Sequence, residues 1–298
     1  MTARAAANRR VGVRRTALVR RLRDVDEVRE HLESARAYSA YALAYLDQRL
    51  FHLAEFNEAI SGEHRALVMH ARGGLGPSTL TMGDPALVQT LLSLHAGPQQ
   101  AFFTCEVEHV ERILSSHNLW RPQTMLRMQL DKSEFKPPAD MSVARRLTAA
   151  DAAELNRLYN EEGTRHTGRQ IEEGVYFGSY HRSWLVAAAG THIYSREEGS
   201  AVVGNVYTHT DFRNHGLGTA VTAAVVTHLM RSCDLIVLNV DPANRTARHI
   251  YEQMGFKQTG RLIEAMATRR GAFSPLPILR RVLASHRSDT PGAGLVEL

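Results

Sequence analysis

The chain has little cysteine: Cys105 and Cys233 are the two in 298 residues. Two thiols do not make a disulfide framework or a zinc cluster, and a reducing cytoplasm is the expected setting. No apolar run approaches the ~20 residues that cross a bilayer. The start of the chain lacks the apolar middle of a secretory signal. We therefore expect no membrane partner. Aromatic residues are sparse at 7%, and no basic stripe interleaves with them, so a nucleic-acid partner is not expected either.

What charge there is sits at the ends. The formal net charge is +5, yet residues 1–23 carry eight Arg and no acid. Residues 269–298 carry five Arg against Asp289 and Glu297. The body between them is acidic, so the basic pI describes the two ends. The Arg-rich start reads as a solvated, partly disordered arm.

Charge and two prolines in "KSEFKPPADMS", Lys132 to Ser142, stop regular structure and divide the chain. We assign a basic arm to 1–18, a first half to 19–137, a second half to 138–270 and a loose tail to 271–298. In the second half, Val143–Leu147 is predicted as a strand and Thr148 as the cap of a following helix. Two antiparallel strands are expected to meet near Arg182, with a third over Ala201–Thr208. A helix from Gly216 to Met230, a buried strand over Leu235–Val240, a helix stopped at Gly255 and a strand over Arg261–Ala267 complete the half. The first half echoes the plan. "RRLRDVDEVREHL" from Arg20 resembles "RRLTAADAAELNRL" from Arg145, and "FFTCEV" at 102–107 corresponds to "LIVLNV" at 235–240. We read a distant internal duplication. The fold class is α/β (α+β), with two domains that each carry a mixed, mostly antiparallel sheet flanked by helices.

One stretch carries chemistry. Between a β-branched run and a helix stands Arg213-Asn214-His215-Gly216-Leu217-Gly218. A helix start offers unpaired N–H groups and a positive dipole end, which suit a phosphate. Glycines remove side chains from the approach and permit unusual φ. A P-loop would need Lys-Ser/Thr after the last glycine, where Thr219-Ala220 stands. A dinucleotide fingerprint would need a small residue in place of Val221. At the equivalent place the first half has "TLTMGDPALVQTLL", with Gly83 and Pro85 and no such loop.

Arg213-x-x-Gly216-x-Gly218, followed by a buried strand and Asn244-x-x-Ala247-x-x-x-Tyr251-x-x-x-Gly255-Phe256, resembles the GNAT superfamily of acyl-CoA-dependent N-acetyltransferases. The resemblance covers about residues 142–268. The first half looks like a degenerate copy, as in tandem or glycine-acyltransferase-like members. The resemblance implies acetyl-CoA as co-substrate, no metal, and acyl transfer to a small-molecule or peptide amine. It implies pantetheine bonded along Val206, Tyr207 and Thr208, and a diphosphate over Arg213, Asn214, His215, Gly216, Leu217, Gly218 and Thr219. Asn244 and Ala247 would touch the carrier or brace the strands, and Tyr251 would serve as general acid at the sulfur. Glu161, Glu162 and His209 are candidate bases, with His192 on a neighbouring strand. A non-catalytic acyl-CoA sensor, an interaction protein and a mycothiol-synthase-like tandem enzyme are the alternatives. A homodimer is a further expectation.

Overall fold

A computed structural model describes residues 16–74, 76–159, 165–271 and 293–297. The first half runs β1 (Thr16–Leu22), α1 (Val25–Glu33), α2 (Arg36–Ala44), β2 (Ala54–Ser61), β3 (His64–Ala71), β4 (Ser78–Gly83), α3 (Pro85–Leu94), β5 (Gln100–Cys105), α4 (Val110–Ile113) and β6 (His117–Leu130). The second repeats that order: β7 (Arg145–Arg146), α5 (Ala152–Tyr159), α6 (Gly168–Glu173), β8 (Phe177–His181), β9 (Trp184–Ser195), β10 (Ser200–Thr208), α7 (Leu217–Leu229), β11 (Leu235–Val240), α8 (Arg245–Gln253) and β12 (Phe256–Arg269). The duplication read from the sequence is thus a duplication of topology. Thr148 does cap a helical turn: its N–H and hydroxyl both donate to Asp151, and α5 follows. The strand expected over 143–147 shrinks to Arg145–Arg146.

Among the described residues thirteen strands, the last being β13 (Ala293–Glu297), join one sheet, in the order β13-β1-β2-β3-β4-β5-β12-β6-β11-β10-β9-β8-β7. Every pairing is antiparallel except β4 with β5 and β10 with β11. The two halves trade their last strands. β6 lies against β11, and β12 lies against β5, while β6 and β12 pair with each other through the centre. The break at 132–142 therefore divides the sequence and leaves the sheet whole. The tail also differs from expectation: β13 (Ala293–Glu297) adds to the open edge of β1, where unpaired backbone groups invite another strand. Most of the expected basic arm, residues 1–15, lies outside the described residues, as do 272–292 of the tail.

Strand alternation sends side chains to two faces. On β11, Leu235 and Val237 enter a core with α1 and α2, while Ile236, Leu238 and Val240 enter another with α7 and α8. Helices α5 and α6 share the α1–α2 face through Ala188 and Leu185, and α3 and α4 share the α7–α8 side through Phe103 and Val68. Helix α7 is rich in Val and Thr, which are mediocre helix formers. It is helical because it is buried: Ala220 to Val226 are all shielded, packed on Ala187 and Ala189. Small residues on both sides let helix and sheet approach closely.

Candidate active site

Parallel pairing of β10 with β11 holds from Ser200↔Leu235 to Val203↔Leu238 and then stops. The cause lies in β10. Its register with β9 slips between Gly204 and Tyr207, and Asn205 takes φ +53°, so one extra residue bulges out and bends the strand. The strained position is held from both ends. Tyr159 donates to the Asn205 carbonyl at 2.5 Å, and Asn205 Nδ2 donates to the Tyr176 hydroxyl at 3.1 Å. Beyond the bulge, Val206 packs toward α7 while Tyr207 packs toward α5, 6.3 Å from the Tyr159 ring. The strands splay from this point, and β10 leads directly into the glycine turn.

That turn is built to leave donors free. Asn214 and Gly216 take φ +65° and +74°, and Gly216 precedes the first residue of α7. The first amide of the turn to bond back is Ala220, to the Gly216 carbonyl at 2.9 Å. The N–H groups of residues 214–219 find no acceptor among the described residues. No atom lies within 4 Å of where a Gly216 Cβ would stand, and a Cβ on Gly218 would meet Thr208 Oγ1 at 2.9 Å. Leu217 turns inward to the core, and Thr219 is half-buried. Arg213 braces the turn, its Nε donating to the Thr208 carbonyl at 3.1 Å, while its side chain remains exposed. His215 is exposed too, its Nδ1 2.8 Å from the Arg213 carbonyl.

Asn244 starts the next helix. Its Oδ1 accepts from the Ala247 N–H at 3.0 Å, so it fixes α8, which carries Tyr251 two turns later. The Tyr251 ring is buried 6.1 Å from Phe256. Its hydroxyl makes no hydrogen bond among the described residues, and burial pushes its pKa up to about 12.

Residues 176–264 match the family model described as FR47-like protein. A Drosophila protein of known structure superposes with a TM-score of 0.62 at 16% identity, over 83% of this chain and 98% of that one. A GCN5-related N-acetyltransferase from Kribbella flavida superposes with a TM-score of 0.53 at 16% identity, over 80% and 96%. A tandem GNAT protein from the clavulanic acid biosynthesis pathway gives 0.50 at 13% identity, over 85% and 99%. This is the GNAT fold, present twice. No curated protein matches the chain. Among the described residues no group of three or more His, Cys, Asp or Glu is placed to hold a metal ion, and no helix is long and apolar enough to cross a membrane.

Within this fold the base candidates fare unequally. Glu161 and Glu162 lie outside the described residues. His209 is exposed and occupied at the turn, where its Nδ1 accepts from the Asp211 N–H at 3.4 Å. His192 is half-buried across the splay: a Cβ on Gly204 would fall 2.0 Å from its Nε2. Burial, with His166 and Arg127 nearby, holds its pKa down to about 4. The sequence reading passed over three groups on the face opposite Tyr251. Arg127, Asn239 and Glu264 each interrupt an apolar strand, and that interruption was the available signal. Asn239 Nδ2 donates to Glu264 Oε1 at 2.5 Å, and burial raises the Glu264 pKa.

Proposed function

We propose that the protein transfers an acyl group, acetyl in the simplest case, from acyl-CoA to a primary amine by direct attack. One observation carries this: the splay between β10 and β11 runs into a turn whose consecutive N–H groups are unspent. A diphosphate matches such a helix entrance in charge and in hydrogen bonding. Arg213 adds a positive charge at its rim. The extended backbone of Val206, Tyr207 and Thr208 offers the carrier arm a strand edge, as in β-augmentation. The carrier supplies a thioester, whose carbonyl is activated and whose sulfur departs.

Backbone N–H groups beyond the bulge polarise that carbonyl where negative charge develops. Tyr251 faces the departing sulfur with a free hydroxyl. Its pKa of about 12 lies well above the ~8.5 of an ordinary thiol, so it stabilises the thiolate by donating a hydrogen bond more than by surrendering the proton. On the other face His192 is neutral at pH 7 and stands ready to accept from the amine. The cytoplasm remains the expected setting.

The test is binding followed by turnover. Acetyl-CoA at about 100 times its Kd should raise the Tm by roughly 5 °C, and thiol should be released when a suitable amine is added. A Tm unmoved by millimolar acetyl-CoA would sink the proposal.

A further inference from the structure

The bulge in β10 has no counterpart in the first half. There β4 runs against β3 in unbroken register from Ala66↔Gly83 to Ala71↔Ser78, and α1 ends in Glu33 and Ser34. In the second half α5 ends in Tyr159, whose hydroxyl crosses to the Asn205 carbonyl. Asn205 is the extra residue and has no partner on β9, so this carbonyl takes its bond from a side chain. The rings of Tyr159 and Tyr176 both pack on buried His166, with centroids 5.2 and 5.7 Å away. A Cβ on Gly190 would fall 2.2 Å from the Tyr176 ring, so glycine there makes room for it. The Tyr176 hydroxyl donates to the Thr191 carbonyl at 3.0 Å and accepts from Asn205 Nδ2. Asn205 is thus fixed at φ +53° through its carbonyl and its side chain together. Strained backbone persists only where its surroundings over-determine it.

The direction of the Tyr159 bond decides where the next amide points. Past the bulge Tyr207 pairs with Ala188 and Thr208 with Ala187, and the His209 N–H donates to the Val186 carbonyl at 2.8 Å. Along an antiparallel strand, residues alternate between facing the partner and facing away. His209 and Tyr207 therefore face β9. Thr208 and Val206 turn their N–H groups the other way, where pairing with β11 has ended at Val203↔Leu238. The Asn205 carbonyl and the Val206 N–H belong to one trans peptide plane and point in opposite directions. Tyr159, arriving from the α5 side, pins one end of that plane and so aims the other into the splay. A carbonyl that accepts a hydrogen bond also makes the N–H of its own peptide a stronger donor.

Resting on the acyl-transfer reading, we propose that Tyr159 is a positioning residue for the reaction: its hydroxyl sets the Asn205–Val206 peptide so that the Val206 N–H meets the thioester carbonyl. Negative charge grows on that oxygen as the nucleophile adds, and a donor aimed there in advance costs no reorganisation. With the peptide loosened, the carrier would still bind, because its diphosphate and arm are held elsewhere. Its carbonyl would be less activated.

The experiment compares the full chain with its Tyr159→Phe and Tyr176→Phe variants. Acetyl-CoA affinity is read by calorimetry and stability by Tm. The bond to the carbonyl is read from the infrared stretch of bound acetyl-CoA carrying an isotope label at the acetyl carbonyl. Hydroxylamine, a nucleophile that needs no acceptor pocket, reports reactivity as it converts the thioester to a hydroxamate and free CoA thiol. Tyr159→Phe keeps the ring contacts, so the Kd should stay within about twofold while the stretch rises and the rate at saturating acetyl-CoA falls by about 30-fold. Tyr176→Phe deprives Thr191 and Asn205 of partners in the interior, so it should lower the Tm more and move the stretch less. The proposal is overturned if Tyr159→Phe leaves stretch and rate as they were. It is overturned equally if the loss of rate follows the loss of Tm across the two variants, as a merely structural role requires. Either result, with acetyl-CoA bound, leaves the acyl-transfer reading standing. Failure of the unaltered chain to bind acetyl-CoA refutes that reading, and the role of Tyr159 falls with it.

Discussion

In the first half, α3 opens with Asp84, whose carboxylate accepts from the N–H groups of Ala86 and Leu87 at 2.9 and 3.1 Å. Pro85 has no N–H to give. In the second half, α7 opens with Gly216 at φ +74° and no side-chain cap. The strands before them differ in the same sense. Parallel pairing of β4 with β5 also stops early, at Leu80↔Thr104, but this gap is filled from within. Buried His109 reaches Thr81 Oγ1 at 2.9 Å and the Gly83 carbonyl at 2.8 Å, and Tyr38 donates to the Thr81 carbonyl. One ancestral pattern has been closed by its own side chains and the other left open. An idle binding site costs hydrogen bonds, and a copy released from binding can satisfy them internally.

Importing the first half's cap into the second should break this contrast most sharply. Gly216→Asp places a carboxylate where the diphosphate would lie, and Asp tolerates left-handed φ better than most residues. Acetyl-CoA affinity should fall by about 1,000-fold with the helix intact, read by calorimetry beside circular dichroism. Acid should weaken the first half next. Burial holds the His117 imidazole down to about 4, from an ordinary 6.5. Between those values the folded chain binds fewer protons than the unfolded one, so this contribution is whole above pH 6.5 and lost as the pH falls to 4. Urea midpoints across that window should show a loss of about 3 kcal/mol from His117, added to the loss from His192, which burial also holds down to about 4, and His117→Gln should remove only the first of these.

Removing the plug is the third test. His109→Ala opens the β4–β5 gap and deprives Thr81 and Gly83 of partners, for a loss of about 2 kcal/mol in denaturant unfolding. It should create no second acetyl-CoA site, because Asp84 still caps α3; a stoichiometry of two would contradict the account. The smallest expected effect is Tyr251→Phe. A hydroxyl without a protein partner contributes little to stability, so the Tm should hold while kcat drops by about 10–30-fold and the KM for acetyl-CoA stays put.

How much of this was legible in the sequence follows from the range of the forces involved. The element order, the β8–β9 turn near Arg182, Leu235–Val240 and the glycine turn were all readable because turn chemistry and periodicity are local. The strand exchange was not, since β6 and β12 would show the same alternation beside either neighbour. Asn205 looked like an ordinary strand residue; its bulge depends on hydroxyls from Tyr159 and Tyr176, distant in sequence. Arg127 stayed hidden for a similar reason. A lone arginine between Leu126 and Met128 reads as a solvent-facing position until α2 is laid over it.

The traded strands bear on how such a chain can be taken apart. Severing it between Leu130 and Ser142 would not release two independent units, because each fragment would carry the strand that completes the other's sheet. Expressed singly, each would present a raw backbone edge and be prone to self-association; co-expressed, the pieces should find one another and rebuild the sheet. The duplicated gene has, in this sense, lost the option of shedding either copy.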